Sequence, residues 1–128
     1  MPKYTVTIPQ DLVIKSVKDE IGESIIRIHR EEFPGDQSVQ VVIGDVEPGC
    51  FYQHGRLMEC DHIFIHGFIV QDRARDAKTL LTERFSSDIA RRAGIDQDSV
   101  WIYFSEMSPS EMEQFDRYNA AGPAGRPR

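Results

Sequence analysis

The chain is predicted to fold as an α+β domain (an α/β two-layer), a duplicated βαβ unit whose four-stranded sheet carries two helices on one face. Three observations predict it. Four segments of strand length alternate or run continuously apolar, and two longer segments repeat apolar residues every three or four positions. The order strand, helix, strand occurs twice at a spacing of about sixty residues, which marks an internal repeat. Right-handed crossovers make the strands of each half parallel and put both helices on the same side.

Taken in order, Lys3 to Ile8 alternates, with Tyr4, Val6 and Ile8 on one side and Lys3, Thr5 and Thr7 on the other; Pro9 ends this strand. Asp11 is placed to cap a long helix whose apolar stripe is Val13, Val17, Ile21, Ile25 and Ile28, and Phe33-Pro34-Gly35-Asp36 stops it. Ser38 to Val46 has little polar interruption and is expected well inside the sheet. Residues 47–59 have turn residues and no clear period, so they read as a loop or a short irregular strand.

His62 to Val70 is the strongest strand, apolar on both faces apart from His62 and His66. A turn at 71–74 leads to a helix from about Asp76 to Ala93, with Ala77, Leu81, Phe85, Ile89 and Ala93 spaced by four and Gly94 as its C′ residue. Ser99 to Phe104 is a fourth strand, rich in β-branched and aromatic residues. Ser108 caps a short helix, Pro109 suits its first position and Glu111 completes a capping box. One domain is expected over residues 1–118, with halves at about 2–46 and 61–106, and a flexible tail at 119–128.

Composition supports a soluble globular class: 128 residues, 40% hydrophobic and 28% charged. A net charge of −6 argues against a nucleic-acid surface, which needs basic residues to neutralise phosphates. No run reaches the roughly 20 apolar residues that span a bilayer, and no signal pattern opens the chain, so a cytoplasmic protein without a membrane partner is expected. Cys50 and Cys60 are too few and too far apart for a disulfide framework or a CxxC motif. His62 and His66 share a strand face, but no acidic or cysteine ligands accompany them at a recognisable spacing, so they read as structural and no metal is expected. Strands apolar on both faces need a cover on the side without helices, and self-association supplies one economically.

Pro2 is the residue with most chemical potential. Removal of Met1, which a small second residue permits, turns it into a secondary amine at the head of a strand. An α-amino group titrates at about 7.7–8.0 in model peptides, so a modest environmental shift makes it a base or acid near neutral pH.

Pro2, the His29 of Ile-Arg-Ile-His-Arg, the string Ile63-Phe64-Ile65-His66-Gly67, Arg73 and the run Trp101-Ile102-Tyr103-Phe104-Ser105-Glu106-Met107 together resemble the cis-3-chloroacrylic acid dehalogenase family of the tautomerase superfamily. The resemblance covers nearly the whole chain apart from the last ten or so residues. It implies a tautomerase-like fold, a homotrimer and a pocket with Pro2 at its bottom near a subunit boundary. It also implies catalytic roles for His29, Arg73 and Tyr103, with Arg73 clamping a substrate carboxylate through two parallel hydrogen bonds. Two positions depart from the family pattern. Val70 stands where a first arginine falls, and Gln114 stands where a glutamate falls.

Val70 leaves an apolar wall suited to a substrate with one carboxylate and an apolar or aromatic body. Gln114 has no basic site with which to activate water. The expected function is therefore a cofactor-independent keto–enol tautomerase of 2-oxo acids of the phenylpyruvate type. Alternatives are a hydratase or dehalogenase of 3-halo-acrylates, a metal-free oxygenase cleaving an arylenolpyruvate, and a non-catalytic trimeric binding protein.

Overall fold

The computed structural model describes residues 1–12, 15–36, 38–57, 62–71 and 75–125. Strand β1 (Lys3–Pro9) is followed by helix α1 (Lys15–Glu32) and strand β2 (Gln40–Val46). A hairpin of β3 (Tyr52–Gln53) and β4 (Arg56–Leu57) comes next, then β5 (Ile63–Val70), α2 (Arg75–Ala93), β6 (Val100–Met107) and α3 (Pro109–Gly125). β1 pairs parallel with β2, β5 pairs parallel with β6, and β1 and β5 join the halves antiparallel, giving the order β2-β1-β5-β6. The duplicated βαβ unit and the single helix-bearing face are thus as expected.

The core lies between the sheet and α1 and α2. β1 contributes Tyr4, Val6 and Ile8, β5 contributes Ile63, Ile65 and Ile69, α1 contributes Ile21, Ile25 and Ile28, and α2 contributes Leu81, Phe85 and Ile89. Tyr4 sits at its centre, edge-on to Phe85 at 5.4 Å and to Phe104 at 6.4 Å between ring centroids. Gly67 makes this possible: a Cβ there would stand 2.7 Å from Tyr4 Cε1 and 3.0 Å from Phe104 Cδ1.

Five local expectations are corrected or refined. β2 is an edge strand rather than an inner one; Val41 and Ile43 pack against the core while Val42 is exposed on the other face, which explains its two-sided apolar run. α1 does not start at Asp11, because Gln10–Leu12 forms a 3-10 turn that carries the chain from the sheet to the helix layer after Pro9; Val13 lies outside the described residues. The loop at 47–59 contains the β3–β4 hairpin, closed by His54 and Gly55 at φ of 53° and 73°, the signature of a type I′ turn. β6 continues through Ser105-Glu106-Met107, and α3 runs past residue 118 to Gly125, with a break at Gly122 where φ is 66°.

Two caps read from the sequence are present. The Glu111 amide donates to Ser108 Oγ at 3.2 Å. After α2, Gly94 adopts φ of 71° and the Ile95 amide donates to the Ala90 carbonyl at 3.1 Å, the bond that closes a Schellman motif.

α1 and α2 are also locked by charge. Asp88 accepts from Ser24 Oγ of α1, from Arg92 Nε at 2.8 Å and from Arg91 at 2.6 Å, with Arg27 at 3.5 Å. Burial by itself would raise the Asp88 pKa; the hydrogen bonds from Ser24, Arg92 and Arg91 outweigh it and hold the carboxyl at about 2.

Two measurements test this architecture. Gly67→Ala should lower unfolding free energy by about 1–3 kcal/mol in chemical denaturation, because Tyr4 or Phe104 must leave its place; Gly44→Ala, with nothing within 4 Å of the new methyl, should cost less. A carboxyl titrating lower in the folded than in the unfolded chain stabilises above its unfolded pKa and loses that contribution on acidification. Between pH 4 and pH 2 the protein should therefore lose about 2 kcal/mol through Asp88, a loss that denaturation of Asp88→Asn should no longer show.

Candidate functional site

Pro2 is buried at the mouth of β1, and its carbonyl accepts the Gln40 amide at 2.9 Å, which fixes the backbone where β1 and β2 begin. By alternation Pro2 shares the helix-bearing face with Tyr4. The register Lys3↔Phe68 and Phe68↔Ser105 puts Pro2, Ile69 and Glu106 in one row across the sheet, one residue beyond those pairs. Glu106 is held by Lys78 of α2 at 2.5 Å, so the far edge of that row is an ion pair.

Tyr4, two residues on from Pro2 on the same face, belongs to a buried polar relay. His29 is fully buried, its Nδ1 lies 2.7 Å from the Tyr4 hydroxyl, and its Nε2 lies 2.7 Å from Asp36 Oδ2 in the segment between α1 and β2. A carboxylate only accepts, so Nε2 carries a proton toward Asp36, and in the neutral ring Nδ1 accepts from Tyr4 O–H. Both ring nitrogens thus have protein partners. His29 orients Tyr4, and the carboxylate of Asp36 stabilises any positive charge on the ring.

The remaining expected residues are distributed as follows. Tyr103 pairs with His66 and is 62% exposed on the sheet face away from the helices, opposite Pro2 and His29. Val70 ends β5 at the same end of the sheet as Pro2, in register with Met107 and on the face of Tyr103. Gln114 is exposed on α3. Arg73 lies outside the described residues. One chain therefore brings Pro2 and His29 to one face and places Tyr103 on the other.

Sequence reasoning missed Asp36, which read only as part of a helix stop, and Asp116. The Met1 ammonium is ion-paired with Asp116 of α3, a contact across 115 positions that no local pattern announces. Tyr4 was legible by parity, since it is the next residue on the face of Pro2.

The face without helices carries Thr5, Val42, Phe68 and Tyr103, with His66 Nε2 2.7 Å from Ser105 Oγ. His62 packs among Phe51, Phe64 and Trp101 at 5.4–6.2 Å, in keeping with a structural role. A cavity of about 610 Å³ opens there between Thr7 and Pro9 at the far end of β1 and Cys50, Phe51 and Leu57 near the hairpin, remote from Pro2. Among the described residues no three His, Cys, Asp or Glu side chains are grouped to hold a metal ion, and no helix is long and apolar enough to cross a membrane.

No family model and no curated protein sequence matches the chain. Solved structures do. A member of the cis-3-chloroacrylic acid dehalogenase family superposes with a TM-score of 0.76 at 23% identity, covering 89% of this chain and 90% of that one. A wild-type fused 4-OT described as a symmetric trimer gives 0.76 at 13% identity over 84% and 87%. A malonate semialdehyde decarboxylase inhibited by 3-bromopropiolate gives 0.70 at 14% identity over 84% and 85%. The fold is therefore the tautomerase-like fold that these structures share. Within it, the family that the sequence resembles is represented among the structural neighbours.

The relay makes a stability prediction. Asp36→Ala takes an acceptor from a buried imidazole N–H and should cost about 1–3 kcal/mol in denaturation, whereas Tyr4→Phe, which keeps the ring and removes one hydrogen bond, should cost about 1 kcal/mol.

Proposed function

We propose that this chain is a cofactor-independent keto–enol tautomerase of 2-oxo acids with an aromatic or apolar body, using Pro2 as the proton carrier. The observation that carries the reading is Pro2 itself, buried and backbone-fixed at the head of β1 beside a polar relay, in a fold shared with a named dehalogenase family, a 4-OT and a decarboxylase. Loss of Met1 exposes the amine. The nitrogen then moves one proton between the enol oxygen and the adjacent carbon, working best when its pKa lies near ambient pH.

Arg73 binds the substrate carboxylate, a role taken from the family resemblance. Tyr4 gives its hydroxyl proton to His29, so His29 acts here by holding Tyr4 in place two residues from Pro2. Tyr103 faces away from its own Pro2, so in this reading it serves the site of a neighbouring copy in a homotrimer, whose assembly also covers the exposed Val42, Phe68 and Tyr103. Val70 shares the face of Tyr103, so in this reading its apolar side also belongs to the site of a neighbouring copy, and Gln114 leaves no water-activating carboxylate at that helix position.

The 3-halo-acrylate hydratase or dehalogenase reading is favoured by the dehalogenase-family neighbour and is distinguished by halide release. The expected result is rapid ketonisation of phenylenolpyruvate followed by ultraviolet absorbance, slowed about a hundredfold or more in Pro2→Ala. Equal rates for the two proteins would overturn the proposal.

A further inference from the structure

The Met1 ammonium is held by Asp116, the carboxylate two positions after Gln114. α3 turns about 100° per residue, so Asp116 points roughly opposite to Gln114 and shares a side with Met112, which is buried against the body of the protein. Gln114 faces solvent while Asp116 faces the start of the chain. Only Cα and C of Met1 separate its nitrogen from that of Pro2, a span of about 3 Å. A carboxylate in hydrogen-bond contact with the first nitrogen is therefore within roughly 6 Å of the second, the range in which an opposite charge shifts an amine's pKa.

We propose that Asp116 is the charge partner of the Pro2 amine once Met1 is removed, and that it sets the fraction of Pro2 that carries a proton. This rests on the reading of Pro2 as the working amine. An anionic neighbour favours the ammonium form, so Asp116 raises the Pro2 pKa and keeps a proton on the nitrogen near neutral pH. Ketonisation uses that proton: the prolinium N–H breaks as the C–H bond forms, the enol O–H then gives its proton back to the amine, and one proton has moved from oxygen to carbon.

Among the described residues, charged groups on the neighbouring elements have partners of their own or face elsewhere. Glu106 of β6 is paired with Lys78 of α2, His29 of α1 bonds Tyr4 and Asp36, and Lys3 of β1 projects to the opposite face. Arg73 lies outside the described residues. Among the described residues, Asp116 is the carboxylate that meets the head of the chain and holds the amine charged.

The test is a ¹⁵N NMR titration of the Pro2 nitrogen in protein whose intact mass shows loss of Met1. Asp116→Asn should lower the midpoint by about one pH unit, Asp116→Glu should restore most of it, and Gln114→Ala should leave it in place. In the unmutated protein the midpoint should fall as salt is raised, because the pair is partly exposed and screened, a measurement that does not depend on any variant folding. Identical midpoints for wild type and Asp116→Asn, or a midpoint indifferent to salt, would overturn the proposal. The titration reads the amine whether or not the protein turns over an enolpyruvate. A failed ketonisation assay would therefore sink the tautomerase reading and leave the charge pairing standing.

Discussion

The ring of Tyr4 has one place to go, and much of the structure follows from it. It fills the space that Gly67 leaves open on β5, touches Phe104 on β6 and Phe85 on α2, and sends its hydroxyl to His29 on α1. One side chain thus ties both strands of the second half and both helices to the first strand of the chain. Pro2 is two residues upstream on the same face. The packing that centres the core therefore also fixes where the amine sits. A buried hydroxyl and a buried imidazole are costly unless paired, and Asp36 completes the pairing from the segment between α1 and β2. Core and candidate site are one construction.

The two faces of the sheet divide the remaining work. The helix-bearing face holds Pro2, Tyr4 and His29, and the other presents Val42, Phe68 and Tyr103 to solvent. Exposed apolar and aromatic residues gathered on one face of a four-stranded sheet are costly in a monomer and natural in an interface. Tyr103 is one of them, so its usefulness to a site depends on which copy it faces.

What was legible in the sequence is what local periodicity can encode. Alternation in Lys3 to Ile8 and four-residue spacing from Ala77 to Ala93 each name an element without reference to its neighbours. The repeat of strand, helix, strand fixes the parallel pairs through chain handedness. Position within the sheet is a different kind of information. The run Val39 to Val46 reads as central because it is apolar on both sides, yet β2 is an edge, and only pairing between distant segments decides that. The hairpin does not announce itself because two-residue strands are too short to show a period, nor does the length of α3, because Ala120-Ala121 are helix formers in a stretch that composition reads as a tail. His29 is legible as a residue, but nothing local tells that both its nitrogens are occupied.

The same limit governs the acidic residues. Aligning positions along α3 leads to Gln114 and to the conclusion that the site lacks a carboxylate. A helix presents a face, however, and stepping two residues reverses the direction of a side chain. With Met112 facing inward, the residue four further on faces inward too, and that residue is Asp116. A carboxylate there differs from a water-activating glutamate in what it addresses. It meets the head of the chain, where it is ion-paired with the Met1 ammonium, so in the proposed reading its influence falls on the protonation of Pro2.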